Sequence, residues 1–150
     1  MEISANILLV EDNRMDIELT LDAFREARLK NTIQVVQNGQ AALDYLLGNG
    51  KYADRVKYPM PNLVLLDLKL PGIDGFEVLR QIKSTPLLKR MPVVILTSSK
   101  EEGDRALSYD TGANSYLVKP VSFDGFLGVV REISNYWLTL NVAPPDNGSE

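Results

Sequence analysis

The run Leu63-Val-Leu-Leu66, followed at once by Asp67, constrains this chain more than any other stretch. Four apolar residues between Pro61 and Leu70-Pro71-Gly72 are too few for a helix. A short apolar run between turn signals reads as a strand buried on both faces, as in a parallel sheet. Such a strand should end in a turn residue, and here the residue is a carboxylate. In open α/β sheets, ligands bind beyond the carboxyl ends of the strands, so Asp67 lies where chemistry is expected.

The same pattern recurs along the chain. Ile7–Val10 ends in Glu11-Asp12, Ile33–Val36 ends before Asn38-Gly39, Pro92–Thr97 ends in a hydroxyl, and Ser115–Val118 ends in Lys119-Pro120. Helical spacing fills the gaps. Asn13 caps a helix over 13–27, with Asp16 as its capping-box partner and Asn31-Thr32 as its breakers. A short helix through Ala41–Leu47 closes at Gly48, and 48–61 reads as a long surface loop, favoured as an insertion. Asp74 and Glu77 open a helix that ends at Ser84-Thr-Pro86, and Ser99 with Glu102 is expected to cap a helix over 100–110. Ser122 caps the last helix. There Phe123, Phe126, Val130, Ile133 and Trp137 form one face that runs on to about Leu140.

Five strands alternating with five helices imply an α/β, doubly wound parallel sheet, for which the flavodoxin-like (βα)5 order 2-1-3-4-5 is the common solution. Residues 1–140 are expected to form the domain, and 141–150, with two Pro and mostly polar side chains, a disordered tail. In that order Glu11 and Asp12 face Asp67 across the switch point. Thr97 and Lys119 end the next two strands.

Composition narrows the chemistry. The chain has no His and no Cys, which removes the commonest general base, thiolate chemistry and zinc-thiolate sites. A Ser-His-Asp hydrolase is excluded. A net charge of −4 argues against nucleic acid as a direct partner. No apolar stretch reaches membrane-spanning length and no leader pattern opens the chain, so the reading is a cytoplasmic protein.

Three carboxylates at one site stay ionised only beside a compensating cation, and an all-oxygen donor set suits Mg²⁺. Lys119 adds a point charge suited to a phosphoryl oxygen, and Thr97 a hydroxyl donor. Together they resemble a phosphoryl-transfer site with Asp67 as nucleophile. Taken singly, each residue has a plainer reading. Glu11-Asp12 serves as a solvated strand end or a cap, Lys119 as a surface lysine, Thr97 as a helix-entry hydroxyl and Tyr116 as packing. Joint placement at the ends of different strands is what favours chemistry.

These pieces, with the stretch Leu66-Asp-Leu-Lys-Leu-Pro-Gly-Ile-Asp-Gly75 around the acceptor, resemble the response-regulator receiver domain over residues 6–140. Tyr45 to Pro61, Pro86 to Pro92 and Tyr136-Trp137-Leu138 further resemble the small single-domain regulators that cyanobacteria pair with phytochrome histidine kinases. The resemblance implies that Asp67 accepts phosphate from the phosphohistidine of a sensor kinase. It implies that Asp12, Asp67 and the Lys69 carbonyl bind Mg²⁺, with Glu11 acting through water, and that Lys119 and Thr97 contact the phosphoryl group. Tyr116 takes the place of the switch aromatic that turns inward as Thr97 moves, carrying Ser98, Ser99 and the following helix with it. It also implies a homodimer through the last helix and the fifth strand. With no effector domain expected after the short tail, output passes by protein contact or phosphate relay.

Two rivals remain. A Mg²⁺ phosphatase with an Asp nucleophile is disfavoured because Lys69 stands where its second acid belongs. A phosphorylation-independent interaction module predicts losses among the site residues, and all are present. The chain is therefore expected not to be an enzyme.

Overall fold

The computed structural model describes residues 4–27, 30–119 and 123–133. Five strands, β1 (Ser4–Val10), β2 (Lys30–Val36), β3 (Leu63–Leu66), β4 (Val93–Thr97) and β5 (Ser115–Val118), form one parallel sheet in the order β2-β1-β3-β4-β5. Helices α1 (Arg14–Glu26), α2 (Gly39–Leu47), α3 (Gly75–Ser84), α4 (Glu102–Thr111) and α5 (Phe123–Ile133) alternate with them. The doubly wound reading is therefore correct in class and in order.

The apolar runs of β1, β3 and β4 are buried on both faces because each strand feeds two cores, while the outer strands β2 and β5 are only partly buried. Leu8, Val10, Val64, Leu66, Val93 and Ile95 point into one layer with α2 and α3. Ile7, Leu9, Leu63, Leu65, Val94 and Leu96 point into the other, with Ala23 and Phe24 of α1 and Leu127 and Val130 of α5. Strand residues alternate faces, so a continuous run of leucine and valine is needed to supply both layers.

Caps set where the helices begin. Asn13 Oδ1 accepts the Asp16 N–H at 3.0 Å and Asp74 Oδ1 accepts the Glu77 N–H at 3.0 Å, as expected. The reciprocal half of each box is not made. The Asp16 carboxylate turns to Lys119, and that of Glu77 to Arg80 and Gln81. Asn38-Gly39 starts α2: Asn38 Oδ1 accepts the Ala41 N–H at 2.8 Å. Ser99 does not cap α4 with Glu102. Glu101 holds the cap position without a side-chain bond, and the Ser99 hydroxyl instead donates to Asp104 Oδ2 at 2.6 Å. Asn31 and Thr32 do not break α1, which has already ended at Ala27; they lie in β2, which begins at Lys30. Gly48 and Gly112 close α2 and α4 with φ of +71° and +114°.

The 48–61 segment is built rather than loose. A 3₁₀ turn spans Gly50–Ala53, and Tyr52 and Tyr58 pack against Tyr45 with ring centroids 5.0 and 6.0 Å away. The Arg55 guanidinium donates to the carbonyls of Tyr45 (2.8 Å), Leu46 (2.9 Å) and Tyr58 (3.2 Å), satisfying the open end of α2. Of the stripe expected on the last helix, Val130 is fully buried. The side chains of Phe123, Phe126 and Ile133, the Ser122 cap, Trp137, the run to Leu140 and the tail 141–150 lie outside the described residues.

Candidate functional site

The backbone ladder carries the site residues one step past their strands. The Glu11 N–H donates to Val36 O at 3.0 Å, the Asp67 N–H to Val10 O at 3.1 Å and the Lys119 N–H to Thr97 O at 2.7 Å. Glu11, Asp67, Thr97 and Lys119 therefore leave the sheet at one edge because neighbouring strands end in register. No separate folding of a loop is required to assemble them.

Glu11, Asp67 and Thr97 are buried, whereas Asp12 is exposed at the mouth. The carboxylates of Glu11, Asp12 and Asp67 each offer an oxygen within 4.8 Å of the others. Asp67 Oδ1 accepts the Lys69 N–H at 3.2 Å, and Glu11 Oε2 accepts the Asn13 N–H at 3.1 Å. Thr97 Oγ1 accepts the Ser99 N–H at 3.3 Å, and the Tyr116 phenol donates to the Ser99 carbonyl at 3.0 Å.

Lys119 is the hub. Its ammonium, with only 8% of the side chain exposed, is hydrogen-bonded to Glu11 Oε1, to Asp16 Oδ2 at 2.8 Å and to Asp67 Oδ2 at 3.2 Å. Burial opposes its charge, but the bonds it donates to Asp16 and Glu11 outweigh it and the pKa is raised above that of ordinary lysine. Glu11 shows the strain from the other side. Burial is the chief cause that pushes it from 4.5 to about 7, reinforced by the Asp67 charge and opposed by Lys119. Three carboxylates around one ammonium, with Asp12 beside two of them, leave an excess of negative charge. An all-oxygen set without imidazole or thiolate fits a hard divalent cation, which would remove that excess.

Of the residues expected from sequence, Glu11, Asp12, Asp67 and Lys119 meet here, Lys69 joins through its N–H to Asp67, and Thr97 is linked through Ser99 to Tyr116, which packs on the α2/α3 core. Sequence reasoning misses Asp16, because its capping position already accounts for it. Its place one helical turn after Asp12 is the signal that could have found it. Asp104 is missed too. It lies on α4, accepts from Ser99 and sits 3.9 Å from the Lys69 ammonium.

Comparison with known proteins agrees with this geometry. The family model of the response regulator receiver domain matches residues 7–131. The probable methanogenesis regulatory protein FilR2 of Methanothrix harundinacea is 43% identical over 141 residues, covering 92% of this chain and 86% of the relative. Response regulator Rcp1 of Synechocystis is 39% identical over 138 residues, 92% of each chain, and its Mn²⁺-bound crystal structure superposes with a TM-score of 0.84, covering 94% of this chain and 99% of that one. The phosphorylated cyanobacterial phytochrome response regulator RcpA superposes with a TM-score of 0.87 at 39% identity, covering 95% of this chain and 99% of that one. With its sheet order, its acidic edge and a family match over most of its length, this chain belongs to the response-regulator receiver family of two-component signalling.

Proposed function

We propose that this receiver is a phosphoacceptor, with Asp67 taking the phosphoryl group from the phosphohistidine of a sensor kinase. The observation that carries the reading is the convergence of Asp67, Thr97, Lys119 and the acidic triad on one strand edge. An Asp67 oxygen forms the new P–O bond as the P–N bond breaks, and the leaving imidazole nitrogen takes up a proton. Lys119 and the Thr97 hydroxyl hold phosphoryl oxygens. Glu11, Asp12, Asp67 and the Lys69 carbonyl are the residues that would hold Mg²⁺, Glu11 through water. When bound, the cation neutralises charge on the transferring group. Tyr116, Ser99 and α4 then form the switch, since they are bonded in series to Thr97.

The likeness to RcpA supports a phytochrome-type kinase as the donor. The reading includes a cytoplasmic location; no helix among the described residues is long and apolar enough to cross a membrane. It also includes output by protein contact without turnover of small phosphate esters, and a homodimer through α5 and β5, for which the sheet-edge position of β5 is the support.

Intact mass after incubation with acetyl phosphate, with and without Mg²⁺, tests the core of the proposal. One phosphate adduct, lost without Mg²⁺ and lost in Asp67→Asn, is expected. An adduct retained at normal yield in Asp67→Asn would refute the assignment.

A further inference from the structure

The ammonium of Lys119 has three N–H donors, and each goes to a different carboxylate. The three partners are not equivalent. Asp67 is consumed as the acyl phosphate forms, and Glu11 belongs to the acidic triad whose oxygens converge on the cation position. Asp16 stands outside that triad and forms no bond to phosphorus. It is the one of the three partners that neither the acceptor role nor the cation position calls on.

Its backbone is already held from both sides. The Asp16 N–H donates to Asn13 Oδ1 at 3.0 Å, and its carbonyl accepts from the Thr20 hydroxyl at 2.7 Å. The carboxylate therefore projects from a fixed first turn of α1, with no capping bond of its own to satisfy. Lys119, by contrast, carries its charge on a flexible four-carbon stem, so the position of the ammonium depends on what grips its far end. At 2.8 Å, Asp16 lies nearer to it than Asp67 does at 3.2 Å.

We infer that Asp16 is a positioning residue for phosphoryl transfer, anchoring the Lys119 ammonium beside the acceptor while its contacts with Asp67 and Glu11 change. The inference rests on Asp67 being the phosphoacceptor. It predicts that α1 contributes to the chemistry through a lysine 103 positions away, with no contact between Asp16 and the phosphoryl group.

Phosphorylation rates with acetyl phosphate and Mg²⁺, followed by intact mass on the full chain, separate the possibilities. A small donor removes any effect of Asp16 on kinase docking. Asp16→Ala is expected to slow the adduct about tenfold, the effect of losing one charge-assisted hydrogen bond. Asp16→Asn, which keeps an acceptor oxygen without the charge, should recover part of the rate. In a Lys119→Met background, Asp16→Ala should change the rate less than twofold, because the anchored group is gone. Circular dichroism melts identify any variant that is slow only because it is unfolded, and Asp16→Asn then carries the comparison. A wild-type rate or a faster one in folded Asp16 variants would overturn the inference, the faster rate meaning that Asp16 restrains Lys119. Full additivity with Lys119→Met would also overturn it. A wild-type chain that accepts no phosphate from either acetyl phosphate or a kinase would overturn the phosphoacceptor reading, and this inference with it.

Discussion

The Tyr116 phenol donates a 3.0 Å hydrogen bond to the Ser99 carbonyl, tying the fifth strand to the segment that leaves the fourth. Through the Ser99 N–H that segment reaches Thr97 Oγ1, and through the Ser99 hydroxyl it reaches Asp104 of α4. The helix at the end of this chain of bonds is lightly held. Ser108 is its buried residue, while Leu107 and Tyr109 face solvent. Little apolar surface has to be uncovered to move it.

Tyr116→Phe should therefore leave phosphorylation of Asp67 intact and cost about 1 kcal/mol of stability, the worth of one ordinary hydrogen bond. The expected loss is in the response. Hydrogen-exchange protection over residues 99–111 should change on phosphorylation in the wild type and not in the variant. An unchanged response would mean that ring packing alone couples Tyr116 to Thr97.

Lys119→Met removes a buried ammonium from three carboxylates. Breaking one side of a buried ionic cluster typically costs about 3–5 kcal/mol, and a metal-free urea titration should show a loss of that order. Added Mg²⁺ should recover more stability in the variant than in the wild type, since the uncompensated carboxylates bind it. Equal recovery in both would contradict the charge excess inferred for the site.

Although paired with Lys119, Glu11 predicts a pH trend opposite to that of a carboxylate whose pKa is lowered, because burial outweighs the pairing. Its folded pKa of about 7 lies above the ordinary 4.5, so the folded state holds the proton longer than the unfolded chain does. Without divalent cation, this group's contribution to stability should fall as pH rises from about 4.5 to about 7. Glu11→Gln should flatten that trend, as measured by denaturant midpoints across the window. Mg²⁺ affinity should rise over the same range, because the cation competes with the proton.

Gly75→Ala tests how closely α3 must approach Asp67. An added Cβ would sit 2.3 Å from the Asp67 carbonyl oxygen and 2.5 Å from Leu68 Cα, both backbone atoms that cannot step aside. The expected cost is about 1–3 kcal/mol, with slower phosphorylation because the Asp67 turn is pushed out of place. Gly103→Ala is the control. Nothing lies within 4 Å of its Cβ, so chemical denaturation should show a gain of up to about 1 kcal/mol from helix propensity.

Much of the site is legible in the sequence. Counting to the ends of apolar runs places Glu11, Asp67, Thr97 and Lys119, and parallel strands that end in register bring those positions together. Asp16 and Ser99 are misread for one common reason. Both stand where a helix cap is plausible, and capping is the partner that lies nearest along the chain. The 48–61 segment reads as a loop because its ordering rests on Arg55 reaching back to the carbonyls of Tyr45 and Leu46, a contact that no periodicity reports.

The sequence alone determined where the strands run, their alternation with helices and the edge where charge collects, because these are written in local pattern, while the order 2-1-3-4-5 followed from the common solution for that alternation. Tertiary structure decided which polar group each charge grips. Lys119 had several acids within its reach. The assembled sheet placed it where Glu11, Asp16 and Asp67 converge, and a buried ammonium loses too much solvation to leave any of its donors unused.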